Sequence, residues 1–217
     1  MNNEREFDVV IYGATGFTGK LVAEYFHAQY KDNKQVKWAI AGRNAEKLDD
    51  IKASLGISEN VSTIVADGGD ADALDALTKR TQVVLTTVGP YQLYGEPLLK
   101  ACVDNGTGYT DLCGEPAWMH QMIGKYQTKA KETGANIVFS CGFDSVPFDL
   151  GVFYLQQHAH AKTGQPIDYV KGRVRKMQGT FSGGTAASLK ATMAAAHKDK
   201  SIMSDPYQPL LSCRHEQ

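Results

Sequence analysis

The sequence predicts an α/β protein: a Rossmann-type, doubly wound parallel sheet followed by the start of a second α/β domain. Three observations carry this. Short apolar runs alternate with helical segments from residue 7 to residue 140. Those runs are nearly continuous in Val, Ile and Leu, the habit of parallel strands covered by helices on both faces. A glycine cluster, Gly13-Ala14-Thr15-Gly16-Phe17-Thr18-Gly19, stands between the first run and the first helix.

The elements follow in order. Residues 7–12 (FDVVIY) read as a strand, and the helix after them, about 17–30, carries Leu21, Val22, Tyr25 and Phe26 at helical spacing. The alternation continues as strand 36–41, helix 45–55, strand 61–66, helix 71–79, strand 82–88, helix 97–105, strand 108–112, helix 116–132 and strand 136–140. Six strands are therefore expected within a first domain of residues 1–145. The text then changes. A helix is expected over 146–161, where Pro147 suits a first turn. Residues 169–178 read as a polar strand with Lys171, Arg173 and Arg175 alternating, either a solvated face or a surface for an anionic substrate. Ser182-Gly183-Gly184-Thr185 turns into an alanine-rich helix to about His197, and the Asp205-Pro206 tail reads as unstructured. One strand and one helix cannot enclose a core. Residues 146–217 are thus expected to be a linking helix and an incomplete second domain.

Composition narrows the function. The 217 residues carry 23 basic and 24 acidic side chains, a net charge of −1, which lacks the basic excess that nucleic-acid binding requires. No apolar run reaches the roughly 18–20 residues of a membrane span, and Met1-Asn2-Asn3-Glu4-Arg5-Glu6 lacks the order of a signal peptide. A cytoplasmic location is the default expectation, with peripheral membrane association if the substrate is a lipid. Cys102, Cys113, Cys141 and Cys213 form no C-x-x-C pair and read as reduced thiols; His158 and His160 are offset by two on a helix, so no metal site is expected. Whether a homodimer forms is open.

The glycine cluster has the context that gives it meaning. Gly13 permits a tight turn, Gly16 lets the backbone approach a pyrophosphate, and Gly19 allows close packing of helix on strand. Ala14, Thr15, Phe17 and Thr18 complete a phosphate-binding turn whose free amides lie at the positive end of the helix. At the end of the second strand an acidic residue would hold a ribose 2′-hydroxyl; Ala41-Gly42-Arg43-Asn44 stands there instead. Arg43 suits a 2′-phosphate, and Lys47 adds charge one turn later, so NADP is favoured over NAD. Asp67 at the end of the third strand is a candidate for the adenine edge, and Asp70 for a helix cap. Val88, Gly89 and Pro90 end the fourth strand, where ribose or nicotinamide is expected. The catalytic candidates at strand ends are Tyr91, Glu115, Asp144 and Ser145, as acids or bases or as helix caps.

Several stretches resemble the saccharopine dehydrogenase-like oxidoreductases, especially the branch with the trans-acting enoyl reductases of lipid biosynthesis. They are YGATGFTG (12–19), AGRN (41–44), TVGPYQLYG (87–95), YTDLCGEP (109–116), CGFDSVPFDLG (141–151) and GTFSGGTAAS (179–188). The resemblance implies a Rossmann domain, NADPH-linked reduction of a C=C, C=N or C=O bond in a small-molecule or acyl substrate, and a second domain over the nicotinamide. It also implies a longer chain, since such proteins continue well past the SGGT segment. A non-catalytic NADP-binding module or a truncated remnant is the alternative. A short-chain dehydrogenase is disfavoured: the Tyr-x-x-x-Lys spacing, Tyr30 to Lys34, falls far too early.

Overall fold

A computed structural model describes residues 5–31, 35–180 and 182–198. Its order is β1 (Phe7–Tyr12), α1 (Phe17–Tyr30), β2 (Trp38–Gly42), α2 (Ala45–Leu55), β3 (Ser62–Val65), α3 (Ala71–Lys79) and β4 (Thr81–Thr86). There follow α4 (Tyr91–Asp104), β5 (Gly108–Thr110), α5 (Pro116–Thr133), β6 (Ile137–Val138), α6 (Val146–Thr163) and α7 (Gly183–Lys198). The six strands are parallel, in the order β3-β2-β1-β4-β5-β6. Chain direction across the sheet reverses between β1 and β4, which opens a crevice at their carboxyl ends. The expected doubly wound sheet is present.

Alternation along each strand fills both faces. Val10, Val84 and Tyr109 point into a core with Leu74, Leu77, Leu99 and Val103 from α3 and α4; Trp118 and Met122 of α5 close it. Ile11 and Ile40 point the other way, onto Ala23 of α1 and Leu48 of α2. Each fully buried Val, Leu or Ile among them contributes about 1.5–3 kcal/mol through burial alone. The helices start where the sequence supplies caps. Asn44 Oδ1 accepts the Lys47 amide at 2.9 Å, and Asp70 caps α3 as expected, accepting the amides of Asp72 and Ala73 at 3.0 Å.

Five expected elements are corrected. Helix α4 begins at Tyr91, not at 97, and Gly95 lies inside it, where a Cβ would meet the Trp118 ring at 2.8 Å. Strand β6 is cut to two residues because Ser140 adopts a φ of 60° and gives its amide to Asp111 Oδ1 at 2.8 Å. Strands β4 and β5 also end at Thr86 and Thr110, short of the expected 88 and 112. Residues 169–178 form no strand, since no neighbour offers them ladder partners among the described residues; Lys171, Arg173 and Arg175 are simply exposed. The Asp205-Pro206 tail and Cys213 lie outside the described residues.

Helices α6 and α7 bury none of their residues, and α6 is the more apolar. Its first ten residues, VPFDLGVFYL, are apolar on nearly every side, yet none is buried; Phe153 and Tyr154 are 60% and 68% exposed. A helix apolar all round belongs in an interior. Among the described residues no helix is long and apolar enough to cross a membrane.

Candidate functional site

The site begins where β1 stops. Gly13 turns the chain with a φ of 90°, and its amide reaches Ala41 O on β2 at 2.9 Å. Gly16 N–H closes the turn on Gly13 O at 3.0 Å, and a Cβ on Gly19 would stand 2.1 Å from that same oxygen. The N-terminus of α1 therefore lies against the strand end. No side chain caps it, and its first turn holds no acidic residue. Its leading amides and the positive end of its dipole are left for an anion.

A cleft of about 760 Å³ spreads from this point across the carboxyl ends of β1 and β4. Beside it is a recess of about 450 Å³ formed by Thr15, Gly16, Arg43, Asn44 and Lys47. Two cations and no carboxylate line this recess, so it suits a phosphate. Asn44 contributes indirectly, since its cap starts the turn that carries Lys47. Asp67 also lines the cleft, where its Oδ1 holds the Gly69 amide at 2.8 Å. Tyr12, also on the lining, gives its hydroxyl to Ala66 O at 3.3 Å. Burial and then the Asp67 charge push that phenol up to about 12, partly opposed by Arg43.

At the other end the lining is Thr87, Val88 and Gly89, with Leu93, Tyr94, Pro97 and Leu98 of α4 as a wall. Ser182 and Gly184 at the start of α7 reach the same cleft, and Thr192 further along α7 accepts from Gln92 Nε2 at 3.2 Å. Sequence reasoning missed Tyr12, Leu93, Pro97 and Leu98. For Leu93 the signal was hidden by the expected start of α4 at 97.

Of the expected cofactor residues, Gly13, Thr15, Gly16, Phe17, Thr18, Arg43, Asp67, Val88 and Gly89 line the cleft, and Lys47 the recess. Ala14 and Gly19 are buried behind it, and so is Pro90. The four catalytic candidates do not line it. Tyr91 is packed in the core: its ring packs on Trp118 at 5.7 Å, its hydroxyl donates to Thr86 O at 3.2 Å, and burial holds its pKa well above the ordinary phenol value. Glu115 is 3% exposed and spends both oxygens on the amides of Tyr91 and Gln92, at 2.9 and 2.8 Å, the geometry of a helix cap. Asp144 is exposed at the β6–α6 connection, and Ser145 stands at the N-cap position of α6 without a side-chain cap bond. Among the described residues no His, Cys, Asp and Glu cluster could hold a metal.

An open helix N-terminus, a glycine turn that excludes Cβ atoms and a cationic recess at the switch point define a dinucleotide-binding domain. The sequence pattern of the saccharopine dehydrogenase NADP-binding domain matches residues 9–138, and the chain belongs to that family. NADP(H) is accordingly the cofactor of this fold. A Mycobacterium tuberculosis protein provisionally named a trans-acting enoyl reductase is 44% identical over 207 residues, covering 94% of this chain and 49% of that one. The trans-acting enoyl reductase of Mycobacterium leprae is 40% identical over 210 residues, covering 94% of this chain and 50% of that one. A Caenorhabditis elegans lipid droplet localized protein is 37% identical over 203 residues, covering 89% and 46%. The chain spans about half the length of these relatives. Among solved structures, apo saccharopine dehydrogenase (L-Glu forming) from Saccharomyces cerevisiae superposes with a TM-score of 0.56 at 16% identity, over 71% of this chain and 32% of that one, a likeness of fold.

Proposed function

We propose that this chain is the cofactor-binding part of an NADPH-dependent reductase that delivers hydride to a polarised double bond of an acyl or other small-molecule substrate. The observation that carries the reading is a cleft that runs from Arg43, past the open end of α1, to the Gly89 turn, with the cationic recess beside it sharing Thr15, Gly16 and Arg43. Residues 1–145 are the cofactor domain, and residues 146–217 are a linking helix and part of a second domain. The unburied apolar α6 supports that division.

Each end of the cleft has its task. Arg43 and Lys47 hold the 2′-phosphate, the amides of α1 hold the diphosphate, and Gly89 leaves room for the ring half. Leu93, Pro97 and Leu98 keep water from the ring face. Bound NADPH supplies the hydride, and the chain supplies orientation. The enoyl substrate class is supported by the names of the mycobacterial relatives.

A second reading, a module that binds NADP without turnover, is favoured by one observation: Tyr91 and Glu115 are buried, and Asp144 and Ser145 lie off the cleft. Following NADPH absorbance with purified protein and a panel of unsaturated thioesters, ketones and imines separates the two. Oxidation with the thioesters supports the reductase; saturable binding without oxidation by any member supports the module.

A further inference from the structure

Helix α4 forms the wall at the ring end of the cleft, and it lacks a cap of its own. Its N-cap residue is Pro90, which has no side-chain oxygen to offer. The cap comes from across the sheet. Glu115 stands at the N-cap position of α5 but makes no cap bond to that helix; its Oε1 accepts the Tyr91 amide and its Oε2 the Gln92 amide of α4.

The segment that carries Glu115 is itself fixed. Glu115 N–H donates to Cys113 Sγ at 3.3 Å, Cys113 N–H to Asp111 Oδ1 at 3.0 Å, and the Ser140 hydroxyl to Cys113 O at 2.7 Å. Asp111 Oδ2 accepts the Tyr109 hydroxyl at 2.8 Å. The carboxylate therefore stands on a base tied to β5 and to the end of β6. From that base it pins the first turn of α4, the turn that brings Leu93 and Tyr94 to the cleft, with Pro97 and Leu98 following.

We propose that Glu115 is a positioning residue: by holding the two leading amides of α4 it sets the wall against which the nicotinamide half of the cofactor rests. This rests on the reading of the cleft as the NADPH site. Two charge-assisted bonds to a helix start, one buried and the other partly so, are among the stronger local ties a fold can make. Removing one charge leaves the phosphate-binding end of the cleft, on β1, α1 and β2, untouched.

The test compares two ligands on the purified chain: NADPH, which spans the cleft, and adenosine 2′,5′-bisphosphate, which reaches only the Arg43 end. Glu115→Gln turns one oxygen into a donor facing an amide, and is expected to weaken NADPH about ten-fold while leaving the bisphosphate within about two-fold. Glu115→Asp, too short to reach both amides, keeps the charge and recovers part of the loss; it also serves if the Gln variant does not fold. Faster hydrogen exchange at the Tyr91 and Gln92 amides accompanies the loss. Equal loss of both ligands, or loss of neither, overturns the proposal. Wild-type protein that binds neither ligand overturns the cofactor reading itself.

Discussion

Gly19 packs so tightly beneath Gly13 that a methyl group on it would sit 2.1 Å from the Gly13 carbonyl oxygen and 2.7 Å from its carbon. Both neighbours are backbone, so no side-chain rotation relieves the clash. The open end of α1 can be where it is only with glycine at this position.

Gly19→Ala therefore forces α1 away from β1. Overpacking of this kind costs about 1–3 kcal/mol, and in a chain of this size each kcal/mol lowers Tm by roughly 2–4 °C. Thermal unfolding is expected to shift down accordingly, and NADPH affinity to fall by about ten-fold or more. An unchanged affinity would show that the α1 amides do not hold the diphosphate.

Arg43→Ala removes the guanidinium from the recess without touching the fold, since the side chain is exposed and makes no hydrogen bond or ion pair among those described. NADPH binding is expected to weaken about 10- to 100-fold and NADH binding by less than about two-fold, as measured by titration of each. Equal loss for both would remove the 2′-phosphate from the recess.

Asp111 supplies a pH prediction. Burial holds its carboxyl above the ordinary carboxylate value, with the Cys113 and Ser140 amides opposing in part. The folded state thus binds this proton more tightly than the unfolded chain, whose value is about 3.9, and ionisation costs stability as pH rises through the folded value. Asp111→Asn abolishes the titration and adds a pH-independent cost of about 1–3 kcal/mol from disrupted hydrogen bonds. The Tm advantage of wild type over the variant should be greatest in acid and shrink toward neutral pH; an advantage that grows with pH contradicts the assignment.

The exposed face of α6 predicts association. Contiguous apolar surface beyond a few hundred Å² is a sticky patch. Phe153→Ser with Tyr154→Ser is expected to reduce hydrophobic-dye fluorescence and self-association of this chain, while NADPH affinity stays within about two-fold. If dye binding persists undiminished, the patch lies elsewhere.

Much of this was legible in the sequence. The β1–glycine–α1 unit could be read because a local apolar run, a local turn and a local helix period all agree within residues 7–30. The Arg43 recess was legible for the same reason, lying one turn past β2. The start of α4 was not, because its cap is Glu115, 24 residues from Tyr91, and its internal Gly95 answers to Trp118 on another helix. Where the catalytic candidates point was not legible for a related reason. Chain position puts a residue at a strand end, but packing decides whether its side chain enters the cleft, and Tyr91 and Glu115 both turn inward.

The most direct test of the central claim is calorimetric titration of the purified chain with NADPH and, separately, NADH. The recess formed by Arg43 and Lys47 predicts saturable binding of one NADPH per chain, at least about ten-fold tighter than NADH. Folded protein that binds neither nucleotide, or both equally, contradicts it.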